Sequence, residues 1–254
     1  MTNPRYDLES AIEGLYTTFS RYPRPEKINF CPCGCTKPEE VAPLLAAPLR
    51  ALQFADLGNY CFSAMTTQGS VDDFRYFLPR LFESAAEEEF AYNLEILFGK
   101  LTYAKWLAWP KEEIAAVRAY LSAIWHFGID SFPIEQSLPG IYEVETLLAS
   151  LAVTGEALAP YLQAWTETKT PQADRNLVQF VTMYGTDFSD GKTLNFAFWE
   201  TVEPAAAELR EWLLRPDTLD RISRSAHLVS VDGYEHLFEP AVAILRVEQR
   251  ETCI

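Results

Sequence analysis

Along most of this chain apolar residues recur every three or four positions, the spacing that gathers them on one side of an α-helix. Over 71–85 they fall at Val71, Phe74, Leu78, Leu81, Phe82 and Ala85. Ser70 precedes them, and Asp72 and Asp73 follow it. A serine hydroxyl accepts from first-turn N–H groups, and carboxylates complement the positive end of a helix, so Ser70 is read as an N-cap. Pro79 lacks an N–H and crowds the carbonyl of Arg75, which predicts a kink or a break near Phe77-Leu78. A second strong stretch starts at Pro110, with Glu112 and Glu113 behind it. Its apolar stripe is Ile114, Val117, Leu121, Ile124 and Trp125, and Gly128 is its expected stop.

The same spacing predicts helices over Leu8–Arg21, Glu39–Leu52, Leu57–Thr67, Asn93–Trp106, Tyr142–Val153, Leu158–Thr166, Ala173–Tyr184, Phe196–Leu214, Leu219–Leu228 and Tyr234–Arg250. Period-two alternation is nearly absent, with Leu228-Val229-Ser230-Val231 the only short strand candidate. The fold class is therefore all-α, an irregular or solenoid-like multi-helix domain of about ten to twelve helices of ordinary length. Residues 1–254 are read as one helical domain, with the Asp130–Gly140 loop as the place where it would subdivide. The expected core includes Phe74, Leu78, Leu81, Ile114, Val117, Leu121, Ile124, Trp125, Leu148, Leu209, Trp212, Leu237 and Phe238. Tyr120-Leu121-Ser122-Ala123-Ile124-Trp125 is echoed by Tyr161-Leu162-Gln163-Ala164-Trp165. The echo is short and contains an indel, so similarity among amphipathic helices explains it more simply than a true solenoid repeat.

Composition narrows the class. Hydrophobic residues make up 48% of the 254, which rules out a disordered chain. Met1–Asp7 leads into a polar amphipathic stretch rather than an apolar leader core, and no run approaches the roughly 18 apolar residues of a membrane span. With an odd number of cysteines, five, the chain reads as cytoplasmic. The net charge is −15, and residues 128–214 hold 13 acidic against four basic residues. Such a surface repels phosphate backbones and anionic membranes, so nucleic acid and membrane are excluded as partners, while a basic protein is not. Glu143, Glu145, Glu208 and Glu211 are the expected partner-binding carboxylates. The plainer reading is ordinary solubility charge on solvated helix faces.

Three cysteines crowd into Cys31-Pro32-Cys33-Gly34-Cys35, inside a loop, Tyr22–Pro38, that holds four prolines. Pro32 and Gly34 permit a tight turn that points sulfurs inward. Thiolates bind zinc when four ligands complete a tetrahedron. Cys31, Cys33 and Cys35, with Cys61 as the nearest further thiol, are the metal-ligand candidates. A structural zinc site, a redox thiol pair and inert reduced thiols all remain open, and elemental analysis of the purified protein separates the first from the others.

Other constellations are incomplete. His126 sits near a helix end, where the dipole favours a cation, and is read as capping or packing. His227 and His236 lie nine residues apart and match no zinc spacing. Asp187 and Asp190-Gly191 lack the remaining ligands of a calcium loop. Glu87-Glu88-Glu89 point in different directions on a helix and read as a solvated face. Neither nucleotide-binding glycine pattern is present.

Two resemblances bear on the cysteines. Cys31-Pro32-Cys33-Gly34 resembles the start of the SEC-C type zinc motif, but Cys35-Thr36-Lys37-Pro38 replaces its basic run and terminal pair, so that assignment is rejected. Cys31-Pro32-Cys33, Pro48-Leu49-Arg50-Ala51-Leu52, Asp73-Phe74-Arg75-Tyr76-Phe77-Leu78-Pro79-Arg80-Leu81 and Asn195-Phe196-Ala197-Phe198-Trp199 together resemble a family of bacterial helical proteins of unassigned function, over most of the chain. That family has a Cys-Pro-x-Cys form, from which this chain departs at Gly34, so no family-wide metal role carries over. The resemblance implies a bacterial, cytosolic protein and brings no catalytic residue. Two functions follow as expectations. One is a non-enzymatic protein that binds a basic partner, most concretely an immunity- or antitoxin-type inhibitor of a cationic toxin. The other is a metal- or thiol-dependent enzyme using the cysteines with His126 or His236.

Overall fold

The structure, a computed structural model, describes residues 4–32, 34, 36–86, 93–131, 143–187, 198–229, 233 and 235–252. Among the described residues there are twelve α-helices joined by short 3-10 turns and loops, and no strand. The all-α reading holds. The proposed strand at 228–231 is replaced by a 3-10 turn over Ala226–Leu228, and residues 230 and 231 lie outside the described residues. Among the described residues, no helix is long and apolar enough to cross a membrane.

The chain divides into two compact units within one helix, between Ile124 and Trp125. The first unit contains α1 (Pro4–Phe19), α2 (Pro38–Val41), α3 (Phe54–Ser63), α4 (Val71–Ala85), α5 (Leu94–Tyr103) and most of α6 (Lys111–Ile129). Here α1 packs along α4, and α3 packs on both α4 and α5. The stretch read as one helix over Glu39–Leu52 is instead α2 followed by 3-10 turns at Ala42–Leu45 and Leu49–Ala51. Pro43 and Pro48 lack the N–H groups a continuous helix would need there.

Helix α4 starts as its sequence indicates. The Asp73 N–H donates to Ser70 Oγ at 3.2 Å, and the Ser70 N–H donates to Asp73 Oδ2 at 2.7 Å, a reciprocal capping box. The break near Phe77-Leu78 does not occur, and α4 runs through Pro79 to Ala85. Tertiary anchoring compensates for the lost hydrogen bond: Phe74, Phe77, Leu78, Leu81 and Phe82 are all fully buried. Arg80, 9% exposed, donates Nε to the Leu52 carbonyl at 2.8 Å and Nη1 to Glu83 at 2.8 Å. Tyr16 on α1 hydrogen-bonds the same Glu83 carboxylate. The polar residues of the 73–81 segment thus have structural partners in this unit.

On α6 the core stripe is Glu113, Val117, Tyr120, Leu121 and Ile124. Ile114 was placed in the core from its spacing, but it is only half-buried, because the stripe is turned by one residue. Glu113 is 0% exposed and accepts a 2.7 Å bond from the Tyr22 hydroxyl. Arg21 approaches its Oε1 at 3.3 Å and Arg75 its Oε2 at 3.5 Å, so this buried charge is paired. Arg75 also lies over the Trp109 ring, 4.5 Å from its centroid.

The second unit holds the end of α6, then α7 (Val144–Ala152), α8 (Ala159–Glu167), α9 (Pro171–Tyr184), α10 (Glu203–Leu213), α11 (Pro216–Arg224) and α12 (Phe238–Thr252). Helix α9 is its hub, packing on α7, α11 and α12. Leu148, Leu209, Trp212 and Phe238 are core residues as expected, whereas Leu237 is half-buried in a 3-10 turn. Gly128 is not a stop, because α6 continues to Ile129. Its role is contact: a Cβ on Gly128 would fall 2.2 Å from Leu147 Cδ1. Asn176 on α9 then caps the α6 end, donating to the carbonyls of Ile129 at 3.0 Å and Ser131 at 2.6 Å.

Gly128→Ala sets two effects against each other. Alanine favours a helix by up to about 1 kcal/mol over glycine. Forcing a methyl into a filled site costs about 1–3 kcal/mol. Leu147 is fully buried and has nowhere open to move, so a net loss of about 1–2 kcal/mol is expected in urea unfolding. A net gain would mean that Leu147 repacks freely.

Candidate functional site

The cysteine loop belongs to the first unit. Cys33 and Cys35 lie outside the described residues. Cys31 is half-buried, and its N–H donates to the Thr67 carbonyl at 2.8 Å. Phe30 bridges to Gln68, and the Gly69 N–H reaches the Asn29 carbonyl at 2.7 Å. Buried Gln68 and Thr36 meet through a side-chain hydrogen bond of 3.4 Å. Backbone pairing to the α3–α4 connection therefore orders this segment of the loop. Gly34 has φ +83°, the left-handed conformation that glycine adopts without strain.

Cys61 lies on α3 and is fully buried. Burial pushes its thiol up to about 12, against a smaller opposing influence of Lys100, so it is protonated at neutral pH and packs as a small apolar side chain. Among the described residues, no three His, Cys, Asp or Glu side chains gather as a metal-holding group. His126 and His236, the histidines considered as partners of the cysteines, are both exposed in the second unit.

The four carboxylates chosen as a partner surface separate in the structure. Glu145 is a correction: it is 9% exposed, and its Oε1 accepts the Trp199 indole N–H at 3.0 Å. It occupies the first turn of α7, where the helix dipole and the indole stabilise its charge inside the unit. Glu143 is exposed at the α7 N-cap, 3.5 Å from the Tyr184 hydroxyl. Burial, followed by the Glu143 and Glu145 charges, pushes that hydroxyl up. Glu208 is half-buried and accepts the N–H of Ala159 at 2.8 Å, capping the start of α8. Only Glu211 is a freely solvated surface charge, 80% exposed and 4.0 Å from Arg215. A different set of carboxylates accompanies it: Glu203 on α10 and Asp217 and Asp220 on α11 are all exposed.

A concavity of about 230 Å³ lies in the second unit where α8, α10 and α11 meet. Arg221 forms its floor and is 6% exposed. Its Nη1 donates to the Trp165 carbonyl at 2.7 Å and its Nη2 to the Thr168 carbonyl at 2.8 Å, satisfying the open C-terminal end of α8. Its Nε pairs with Asp174 of α9 at 2.6 Å. One guanidinium thereby ties three helices together. Trp212 forms a wall, held by a 2.8 Å bond from its indole N–H to Thr166 and stacked on Trp165 at 5.1 Å between centroids. Lys169 and Arg224 bring positive charge to the lining, and Asp217 and Asp220 bring negative charge.

The sequence reading passed over this place. Its signal is present on α11, where Thr218, Arg221, Ile222 and Ser225 share one helical face and all four are buried. An arginine in the middle of such a face needs internal acceptors, but the sequence alone does not say from which helices they come. No family model, no curated protein and no solved structure matches this chain.

Proposed function

We propose that this is a non-enzymatic binding protein whose second unit takes a basic protein partner, with an immunity-type inhibitor of a cationic toxin as its most concrete form. The observation that supports this reading is how the charges of that unit are used. Two arginines are taken up by ion pairs, half-buried Arg210 with Glu248 and buried Arg221 with Asp174. Among the described residues, the carboxylates of Glu203, Asp217 and Asp220 stay exposed without an ion-pair partner, and Glu211 has only a long, solvated one. The exposed surface of α10 and α11 therefore carries four carboxylates, Glu203, Glu211, Asp217 and Asp220, against two guanidiniums, Arg215 and Arg224. Complementary charge of this kind raises association rates and suppresses wrong partners.

The test is a charge reversal at exposed positions that complete no internal hydrogen bond among the described residues. Glu145 and Glu208 are unsuitable because each completes an internal hydrogen bond. Glu203→Lys with Glu211→Lys changes the exposed side of α10 alone. After a partner is captured, identified and purified, stopped-flow association at low salt should slow by roughly tenfold or more in the double variant. Wild-type association should also weaken as salt is raised. The unfolding midpoint should not move. An association rate indifferent to both salt and reversal would refute the proposal, and a turnover that depends on Cys33 would replace it with the enzyme reading.

A further inference from the structure

We propose that the cavity between α8, α10 and α11 binds a small zwitterion of amino-acid size. The inference shares Asp217 and Asp220 with the protein-partner reading but does not rest on it. A volume of about 230 Å³ is below the usual range for drug-sized ligands and suits a small metabolite. The lining carries five ionisable groups, but the Arg221 charge is already matched by Asp174. Two cations, Lys169 and Arg224, and two carboxylates, Asp217 and Asp220, remain. None of these four has an ion-pair partner among the described residues. An anion alone would meet the two aspartates, and a cation alone would meet the lysine and arginine. A ligand carrying both charges satisfies both pairs.

Two further features point the same way. Thr218 lines the cavity, is 5% exposed, and its hydroxyl has no hydrogen-bond partner among the described residues. That oxygen is not one of the fully enclosed unpaired polar atoms among the described residues, so it stays open to the cavity, where a ligand atom can meet it. The charges are also ordered along α11: Asp217 stands in its first turn and Arg224 in its last, so a ligand ammonium and a ligand carboxylate have separate ends to meet. Trp212 also lines the cavity, but it is only 2% exposed, fixed by Thr166 and stacked on Trp165, so it bounds the space without offering a ring face to the ligand.

The experiment uses the full chain and the standard α-amino acids as probes, read by saturation-transfer NMR and by tryptophan fluorescence. At least one free amino acid should bind. Its N-acetyl and its amide derivatives, each lacking one charge, should bind at least about tenfold more weakly. Thr218→Val, Lys169→Met and Asp220→Asn should each weaken binding by about tenfold or more. Lys169 and Asp220 are exposed, so those two variants should unfold at the wild-type midpoint. The Glu203→Lys, Glu211→Lys protein should bind the amino acid normally, because neither residue lines the cavity. The proposal is overturned if no free amino acid binds at about 10 mM, a concentration that detects interactions of only a few kcal/mol. It is equally overturned if the blocked derivatives bind as well as the free form, or if Lys169→Met and Asp220→Asn both leave binding intact.

Discussion

Replacing Arg221 with methionine should lower the stability of the second unit by about 3–5 kcal/mol, as removing one member of a buried ion pair does. The side chain of Arg221 is 8% exposed and makes three hydrogen bonds of 2.6–2.8 Å to acceptors on or beside α8 and α9. Methionine fills much of the volume but donates nothing. The Trp165 and Thr168 carbonyls then lose their donor, and Asp174 loses its counter-charge. Asp174 is 30% exposed and water can reach it, which places the expected loss toward the lower end of the range. Arg221→Lys should recover only part, because an ammonium cannot span the three acceptors that the planar guanidinium reaches. Urea unfolding monitored by circular dichroism measures both variants. A loss below about 1 kcal/mol for Arg221→Met would mean that solvent already satisfies the α8 end.

Trp165→Ala should be comparably damaging, about 3–5 kcal/mol. Trp165 is fully buried at the centre of an aromatic cluster. It stacks on Trp212 and meets Trp125 and Phe180 edge-on, with centroid distances of 5.6 and 6.3 Å. Its indole N–H donates to the Ala173 carbonyl at 3.0 Å, which truncation leaves unpaired. The neighbouring rings are themselves held, Trp125 by the Tyr161 carbonyl and Trp212 by Thr166, so they cannot easily fold into the space. The same unfolding measurement applies, and Trp165→Phe should retain more stability than alanine because it keeps ring contacts on three sides. If the alanine variant unfolds at the wild-type midpoint, the cluster collapses around the gap and the close packing inferred here is wrong.

The helices were largely legible in the sequence because a 3.6-residue stripe is a local property. Ser70 and Asp73 cap α4 as their order in the chain suggests, and α9 ends at Tyr184 as read. The misreadings share a cause. Local rules make Pro79 a kink or a break and Gly128 a stop, but α4 runs unbroken through Pro79 and α6 continues past Gly128. Burial on the rest of α4 outweighs the hydrogen bond missing at Pro79. At Gly128 the absent side chain is explained by Leu147, a residue 19 positions away. Helical spacing puts Ile114 in the core, yet Glu113 is the residue that is fully buried. The partners that permit it, Arg21, Tyr22 and Arg75, come from distant segments.

The site was less legible than the fold. Acidity between 128 and 214 could be counted along the chain, but counting could not distinguish Glu145, which is buried under an indole, from Glu211, which stands in solvent. By itself the sequence determined the all-α class, the start of α4 and the excess of negative charge, because propensity, capping and charge need only neighbouring residues. Tertiary structure alone decided which charges face water, which arginine joins three helices and where two cations and two carboxylates surround a cavity. Those outcomes depend on desolvation and pairing between residues tens of positions apart, and that free energy is set only once the helices have packed.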